Sequence, residues 1–596
     1  MSIGAAIIIS LLVGFFFTAY IVKDAKIAAD LPQEMILLHR INGPIPEGPP
    51  KSGLDALGPQ RLSLNDIILS LEAAATDKRV KALIFSVRRS ELAFSQIQEL
   101  RKAVIEFRKR SGKPAYIYSM SYGEAGQGLA LYSLASAFDE IWLSPLGTVS
   151  INGLQIEQPY MRGLLNRLGI EPQFLQREEY KGVFENFTNE NMSEPSRESL
   201  KSLSKSLVRE LLKEIMISRP ILQKDYDLSK LVNKGIFLDT EAEEKGLVDR
   251  VEYGDVLLDD LRERLNGSIE DKTPKVERLS RYFGMMPPPA AKESDIALIY
   301  IQGPIMVVNE EQESNSLLGS TQESADSIAS LIVNAAEDEN VKSIVLRVDS
   351  PGGSPTASEL IRRAIIRAQN KEKVVIVSMG SMAASGGYWV ASPADYIFAL
   401  PGTITGSIGV AGGKVSMKQL WENIDVNWDE VGIGRNAGLY SLNTPFSNSE
   451  RALIEASMDR IYDMFLGVVA EGRMMTKEDV REVAKGRIWT GSQALEKGLV
   501  DELGDLNDAL DYAAELSGYK SRKDVNIQML PKPKTPLEEV LEILQKTAGL
   551  PIFLQQQAAL WDMMMGNGVQ KKILQDAAVM QNSGSVFVYE PLSPLN

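Results

Sequence analysis

The 596-residue sequence has no cysteine, a single histidine and no basic stripe. The missing cysteine excludes thiol catalysis, structural disulfides and cysteine-based metal sites, and it fits an oxidising compartment. A Ser-His-Asp triad would have to use His39. That residue lies in the apolar run MILLHRINGPI and reads as a half-buried strand histidine. A net charge of −15 argues against a nucleic-acid partner. Neither a P-loop nor a cluster with metal-ligand spacing is present, so no nucleotide, metal or other cofactor is expected.

What remains is a globular composition, 44% apolar and 24% charged, in a chain too long for one ordinary core. One segment stands apart. Residues 2–22, SIGAAIIISLLVGFFFTAYIV, carry no charge, and a bilayer core needs about 20 apolar residues in a helix. A cleaved leader has a basic start and a shorter apolar centre, so the run reads as an uncleaved transmembrane anchor over residues 1–30. Lys23 and Lys26 follow it and nothing basic precedes it. The positive-inside rule therefore gives no support for a body outside the cytoplasm.

The rest is one pattern written twice. ILLHRINGPI (36–45) returns as ALIYIQGPI (297–305), and DKRVKALIFSV (77–87) as DENVKSIVLRV (338–348). AYIYSMS matches VVIVSMG, YSLASAFDEIWLSPLG matches YWVASPADYIFALPG, and EEKGLVDRV matches LEKGLVDEL. Each copy alternates short β-branched strands, such as KSIVLRV, KVVIVSM and YIFALP, with segments of helical period. Such βα alternation predicts an α/β fold of two tandem repeats with mostly parallel sheets. The expected boundaries are 31–270 for the first repeat, 271–292 for a Pro-rich linker, 293–525 for the second repeat and 526–596 for a C-terminal extension.

The copies diverge where chemistry would sit. SMGSMAASGGYWVAS (378–392) places Ser385 opposite Leu129 of the first copy, and VDSPGGS (348–354) falls opposite VRRSELA. Serine chemistry therefore belongs to the second copy. A Pro-Gly-Gly turn after a strand exposes backbone N–H groups that can bind an oxyanion. The N–H of Gly386 supplies a second donor, and a helix starting there adds its N-terminal dipole. Close strand–helix packing by small residues is the alternative reading of the same stretch. With His39 implausible as a base, a neutral lysine is the common partner of such a serine. LQREEYKGVFENFTNENMSEPSR (175–197) aligns with VGIGRNAGLYSLNTPFSNSER (431–451), which puts Lys181 opposite Ala437. One copy keeps the lysine and the other the serine, as a shared site would require.

RVDSPGGSPTASELI, SMGSMAASGGYWVAS, PGTITGSIGV and EEYKGVFENFTNENMS resemble the signal peptide peptidase A family in its long, double-domain form, the membrane-anchored bacterial protease IV. The resemblance covers nearly the whole chain. It implies a crotonase/Clp-protease-like fold in each repeat. It also implies Ser385 as nucleophile, Lys181 as general base and Ser407, in TGSIGV, as the serine that orients the lysine. The oxyanion hole would use Gly386 and a glycine of the Pro-Gly-Gly loop, Gly353 ahead of Gly352. The family degrades signal peptides left in the membrane and prefers small or apolar side chains before the cut. It needs no metal and forms a homotetramer on the periplasmic side of the bacterial inner membrane. Pro355 departs from the family's apolar residue after PGGS and stiffens that loop. The competing readings are a crotonase-like acyl-CoA enzyme, which would use the glycine N–H groups without a serine nucleophile, and a non-catalytic membrane scaffold.

Overall fold

The computed structural model describes residues 31–49, 61–124, 128–220, 228–265, 274–286, 295–307 and 324–531. The apolar run 2–22 and the tail beyond 531 lie outside the described residues. No described helix is long and apolar enough to cross a membrane. The chain divides into two compact units. One combines the residues up to Leu154 with Val208–Ala290, and the other combines Gln155–Leu207 with Ala291–Lys532.

The first unit is built on a six-stranded, all-parallel sheet. Its order is Arg250–Val251, Glu140–Leu143, Ala115–Ser119, Val80–Ser90, Met35–Gly43, Lys275–Arg278. The second unit repeats this order with Glu502–Leu503, Tyr396–Ala399, Val374–Ala384, Ser343–Ser350, Ile296–Gln302 and Ile527–Leu530, again parallel. Parallel strands need crossover helices on both faces, so their sequences are continuous apolar runs. In the second unit, Ile344, Val345 and Leu346 are all fully buried for this reason. Helix Pro355–Gln369 covers one face through Ile361, Ala364, Ile365 and Ala368, and helix Leu506–Leu516 covers the other through Leu506, Leu510 and Ala513.

Three sequence boundaries differ in the structure. The segment read as a linker over 271–292 contains the edge strand Lys275–Arg278, registered Met35↔Lys275, and the helix Leu279–Gly284 with buried Leu279 and Tyr282. The second copy gains its matching edge from Ile527–Leu530, inside the stretch read as an extension. Residues 155–207 belong with the second unit. Their strand Glu171–Arg177 pairs antiparallel with Val410–Ser416 along seven residues, and such a ladder outweighs proximity in sequence. Helix Glu194–Ser218 then runs from one unit into the other.

The predicted strand KVVIVSM extends well beyond its apolar core, to Val374–Ala384. It forks. Ile376–Ser378 pair with Tyr396–Ala399, whereas Met382–Ala384 pair with the separate strand Ile404–Gly406. The fork carries the chain past the sheet edge to Ser385. Pro355 does not strain its loop, because it opens helix Pro355–Gln369 behind the N-cap Ser354, whose hydroxyl accepts the Ala357 N–H. At this position the fixed φ of proline suits the helix and no N–H is lost to the ladder.

His39 sits in the first unit on strand Met35–Gly43, its ring 5.0 Å from that of Phe85. Its Nε2 is buried with no hydrogen-bond partner among the described residues, and burial pushes its pKa from 6.5 down to about 4. The folded chain resists a proton that the unfolded chain takes up below 6.5. Stability is therefore whole above that pH and falls as pH drops towards 4, by up to about 3 kcal/mol. The unfolding free energy of wild type, measured against His39→Gln from pH 7.5 to 4, should show this loss in wild type alone. Parallel profiles would remove the buried neutral imidazole from the account.

Candidate active site

Strand Val374–Ala384 delivers Ser385 into a corner that only small neighbours permit. Ser385 has φ 55° and ψ −119°, an uncommon backbone conformation for a residue with a side chain. Its N–H is fixed by the Gly406 carbonyl at 2.9 Å, and helix Gly386–Ala391 starts directly after it. A Cβ on Gly386 would lie 2.5 Å from Ser358 Oγ and 3.0 Å from the Gly353 nitrogen, and one on Gly387 would lie 2.7 Å from the Ser350 carbonyl oxygen. The cluster of small residues lets this helix press onto the Pro-Gly-Gly turn. A serine in the N-cap position ordinarily spends its hydroxyl on the helix. Ser385 does not cap; its Oγ faces Lys181 Nζ at 2.9 Å.

Lys181 is 1% exposed. Besides Ser385 Oγ, its amine meets Ser407 Oγ at 2.6 Å and the Ser407 carbonyl oxygen at 2.9 Å. A carbonyl can only accept, so one N–H is committed there. With a second N–H donated to the Ser407 hydroxyl, a neutral amine keeps its lone pair for the proton of Ser385. Burial works against the ammonium form and in favour of that arrangement. Lys181 and Ser385 meet within one chain, and the pairing of Glu171–Arg177 with Val410–Ser416 places the lysine segment beside the second unit's strands. Ser407 also has a positive φ, 52°, and its N–H is held by the Arg487 carbonyl at 2.8 Å.

Two glycines back the lysine. A Cβ on Gly486, which has φ +78°, would stand 2.5 Å from the Lys181 nitrogen and 2.6 Å from its Cβ. One on Gly409 would stand 3.2 Å from Lys181 Cδ. The lysine enters its buried site between two bare stretches of backbone.

The Pro-Gly-Gly turn separates the roles of its glycines. Gly352 spends its N–H on Ser350 Oγ at 3.1 Å and its carbonyl on the Ile305 N–H at 2.8 Å. The Ser354 N–H goes to the Ile305 carbonyl at 2.8 Å. The Gly353 N–H takes part in none of these bonds, and it lies beside Gly386. Gly353 and Gly386 are thus the pair that can present two N–H groups to an oxyanion next to Ser385. Gly352 acts differently from the sequence expectation: at φ +103° it lets the turn approach, since a Cβ there would meet the Gly386 nitrogen at 2.6 Å and Ser385 Cβ at 2.8 Å.

The structure thus brings together Ser385, Lys181, Ser407, Gly353 and Gly386, and it leaves His39 in the other unit. Among the described residues no group of histidines, aspartates and glutamates could hold a metal. Sequence reasoning missed Gly486, Gly409 and Arg487. The repeat held a signal for Arg487: NKGIFL (233–238) matches AKGRIW (484–489), so Arg487 stands opposite Ile236.

The model of peptidase family S49 matches residues 107–267 and 367–520. Protease 4 of Haemophilus influenzae is 32% identical over 483 residues, 79% of this chain and 75% of that protein. Protease 4 of Salmonella typhi is 34% identical over 468 residues, covering 77% and 73%. Serine protease SPPA, chloroplastic, of Arabidopsis thaliana is 28% identical over 537 residues, covering 89% and 76%.

The glycine backing gives a direct expectation. Gly486→Ala should push the lysine backbone aside and slow labelling of Ser385 by a fluorophosphonate by about 100-fold, since a shift of ~1 Å costs that much. Gly518→Ala is its control, because Gly518 also has positive φ but nothing within 4 Å of its added Cβ. Equal labelling of both variants would mean that Gly486 does not set the lysine position.

Proposed function

The chain belongs to peptidase family S49 and is a serine-type peptidase, and we propose that it cleaves peptides with Ser385 as nucleophile and Lys181 as general base. The observation that carries this reading is the buried amine 2.9 Å from Ser385 Oγ and 2.6 Å from Ser407 Oγ. Neutral Lys181 takes the Ser385 proton as Oγ attacks the carbonyl carbon of the scissile bond. The oxyanion so formed accepts hydrogen bonds from the Gly353 and Gly386 N–H groups. Lys181 then returns its proton to the leaving amine as the C–N bond breaks, and an acyl-enzyme remains. Water repeats the sequence, losing its proton to Lys181 and displacing Ser385. Ser407 keeps the amine turned towards Ser385 throughout.

The finer reading rests on the sequence resemblance. Substrates are remnant signal peptides and similar apolar peptides. Each repeat has a crotonase/Clp-protease-like fold. Residues 2–22 anchor the chain in the bacterial inner membrane, the catalytic body lies on the periplasmic side, and four copies assemble. Membership of a peptidase family leaves the acyl-CoA and scaffold readings without support.

Turnover of a fluorogenic apolar peptide ester by the detergent-solubilised protein tests the chemistry. Ser385→Ala should fall to background, and Lys181→Ala should lose about 10²–10⁴-fold in kcat. Lys181→Arg should be equally impaired, because a guanidinium cannot give up its proton in a protein. Full activity of Lys181→Arg would rule out the amine as base. Anchoring is tested by fractionation: the full chain should sediment with membranes and a chain lacking residues 2–22 should not. Equal partition of the two would remove the anchor.

A further inference from the structure

The residues just before Ile488–Thr490 touch both partners of the serine. Lys485 accepts the Tyr180 N–H at 3.0 Å, Gly486 lies against the Lys181 backbone and donates its N–H to the Ile408 carbonyl at 2.9 Å, and the Arg487 carbonyl fixes the Ser407 N–H. The side chain of Arg487 turns back over the same loop. Its Nη1 donates to Glu198 Oε1 at 2.9 Å, while the Tyr180 hydroxyl donates to Glu198 Oε2 at 2.8 Å. The guanidinium also lies 5.0 Å from the Tyr180 ring centre and 4.5 Å from that of Trp489. Tyr180 precedes Lys181 in the chain, so it is held through both its backbone and its side chain.

We propose that Arg487, acting through Glu198 and Tyr180, is a positioning residue that holds the Lys181 amine in register with Ser385 and Ser407. The proposal rests on the Ser385–Lys181 reading above. The physical case is one of chain geometry. Lys181 enters the site from strand Glu171–Arg177, whereas Ser407 comes from the far end of Ile404–Gly406. Their separation is set by whatever ties residues 180–181 to residues 485–487. One backbone hydrogen bond and one steric contact do so inside, and two further backbone bonds hold Gly486 and Arg487 to Ile408 and Ser407. The Arg487–Glu198–Tyr180 chain closes the same bracket from outside. Arg487 is 18% exposed at its side chain but Glu198 is 58% exposed, so the outer closure is open to salt screening. The first unit does not contain Lys181 and carries Ile236, exposed, at the position that matches Arg487 of the second.

The test measures kcat and KM of the full-length protein on a peptide ester for Arg487→Met, Arg487→Lys and Glu198→Gln, beside Ser385→Ala and Lys181→Ala. Arg487→Met should lower kcat by about 10-fold or more with KM within about 2-fold, because positioning acts on the chemical step. Arg487→Lys, which keeps a cation for Glu198, should recover most of that loss. Roughly 1 M NaCl, where the screening length is about 3 Å, should lower the wild-type kcat towards that of Arg487→Met and leave the variant unchanged. Wild-type kcat in Arg487→Met, or equal salt sensitivity in both, would overturn the proposal while loss of activity in Ser385→Ala and Lys181→Ala left the dyad standing. Activity in those two variants would overturn both.

Discussion

A lysine amine taken out of water must find its hydrogen bonds inside the protein or forfeit several kcal/mol. Lys181 finds them on two serines and one carbonyl, and the architecture around the site follows from that need. Ser407 must present both its hydroxyl and its carbonyl to one amine, which calls for the left-handed backbone seen there. Ser385 must turn its hydroxyl away from the helix it begins. The lysine stem needs a channel without side chains, and Gly486 and Gly409 provide it. Each of these features costs local conformational freedom, and together they leave the amine one place to sit.

The same constraint explains why the two copies of the repeat differ. Both build a parallel sheet with the same strand order. The second carries Ser385 where the first has Leu129, and its central strand Val374–Ala384 forks through a three-residue ladder where the first unit has the single bridge Tyr122↔Val149. The lysine is encoded in the first copy, yet its segment folds with the second unit through the ladder with Val410–Ser416. The two units are equivalent frameworks, and the residues proposed for the one site are divided between the two repeats in sequence. Leu129, which stands opposite Ser385 in the repeat, packs as an ordinary buried residue.

The Pro-Gly-Gly turn shows how closely the backbone is specified. Two adjacent glycines do different things. Gly352 spends its hydrogen bonds inside the turn and permits close approach, and Gly353 keeps an N–H beside Gly386. Ser354 and Pro355 then start a well-capped helix that buries its apolar face on the sheet. The turn is therefore anchored on both sides, by the Ile305 backbone and by the helix cap. That rigidity suits donors that must be in place before charge develops on a substrate oxygen.

The sequence by itself determined the repeat, the α/β class and the core strands, because apolar runs of β-branched residues alternating with helical periods have few other solutions. It also singled out Ser385 and Lys181, since divergence between copies marks where their tasks differ. It did not determine that residues 155–207 leave the first unit for the second, that 271–292 holds an edge strand, or which glycine of the turn keeps its N–H. Those outcomes depend on long-range ladder pairing and on which atom each N–H reaches, and neither leaves a periodic trace in the chain. Arg487 stands in the repeat as a substitution for Ile236, but its partners are seen only in the fold, where Glu198, 289 residues earlier, and the Tyr180 ring lie against it. Contacts of that separation are decided by tertiary structure, because nothing local in the chain links their ends.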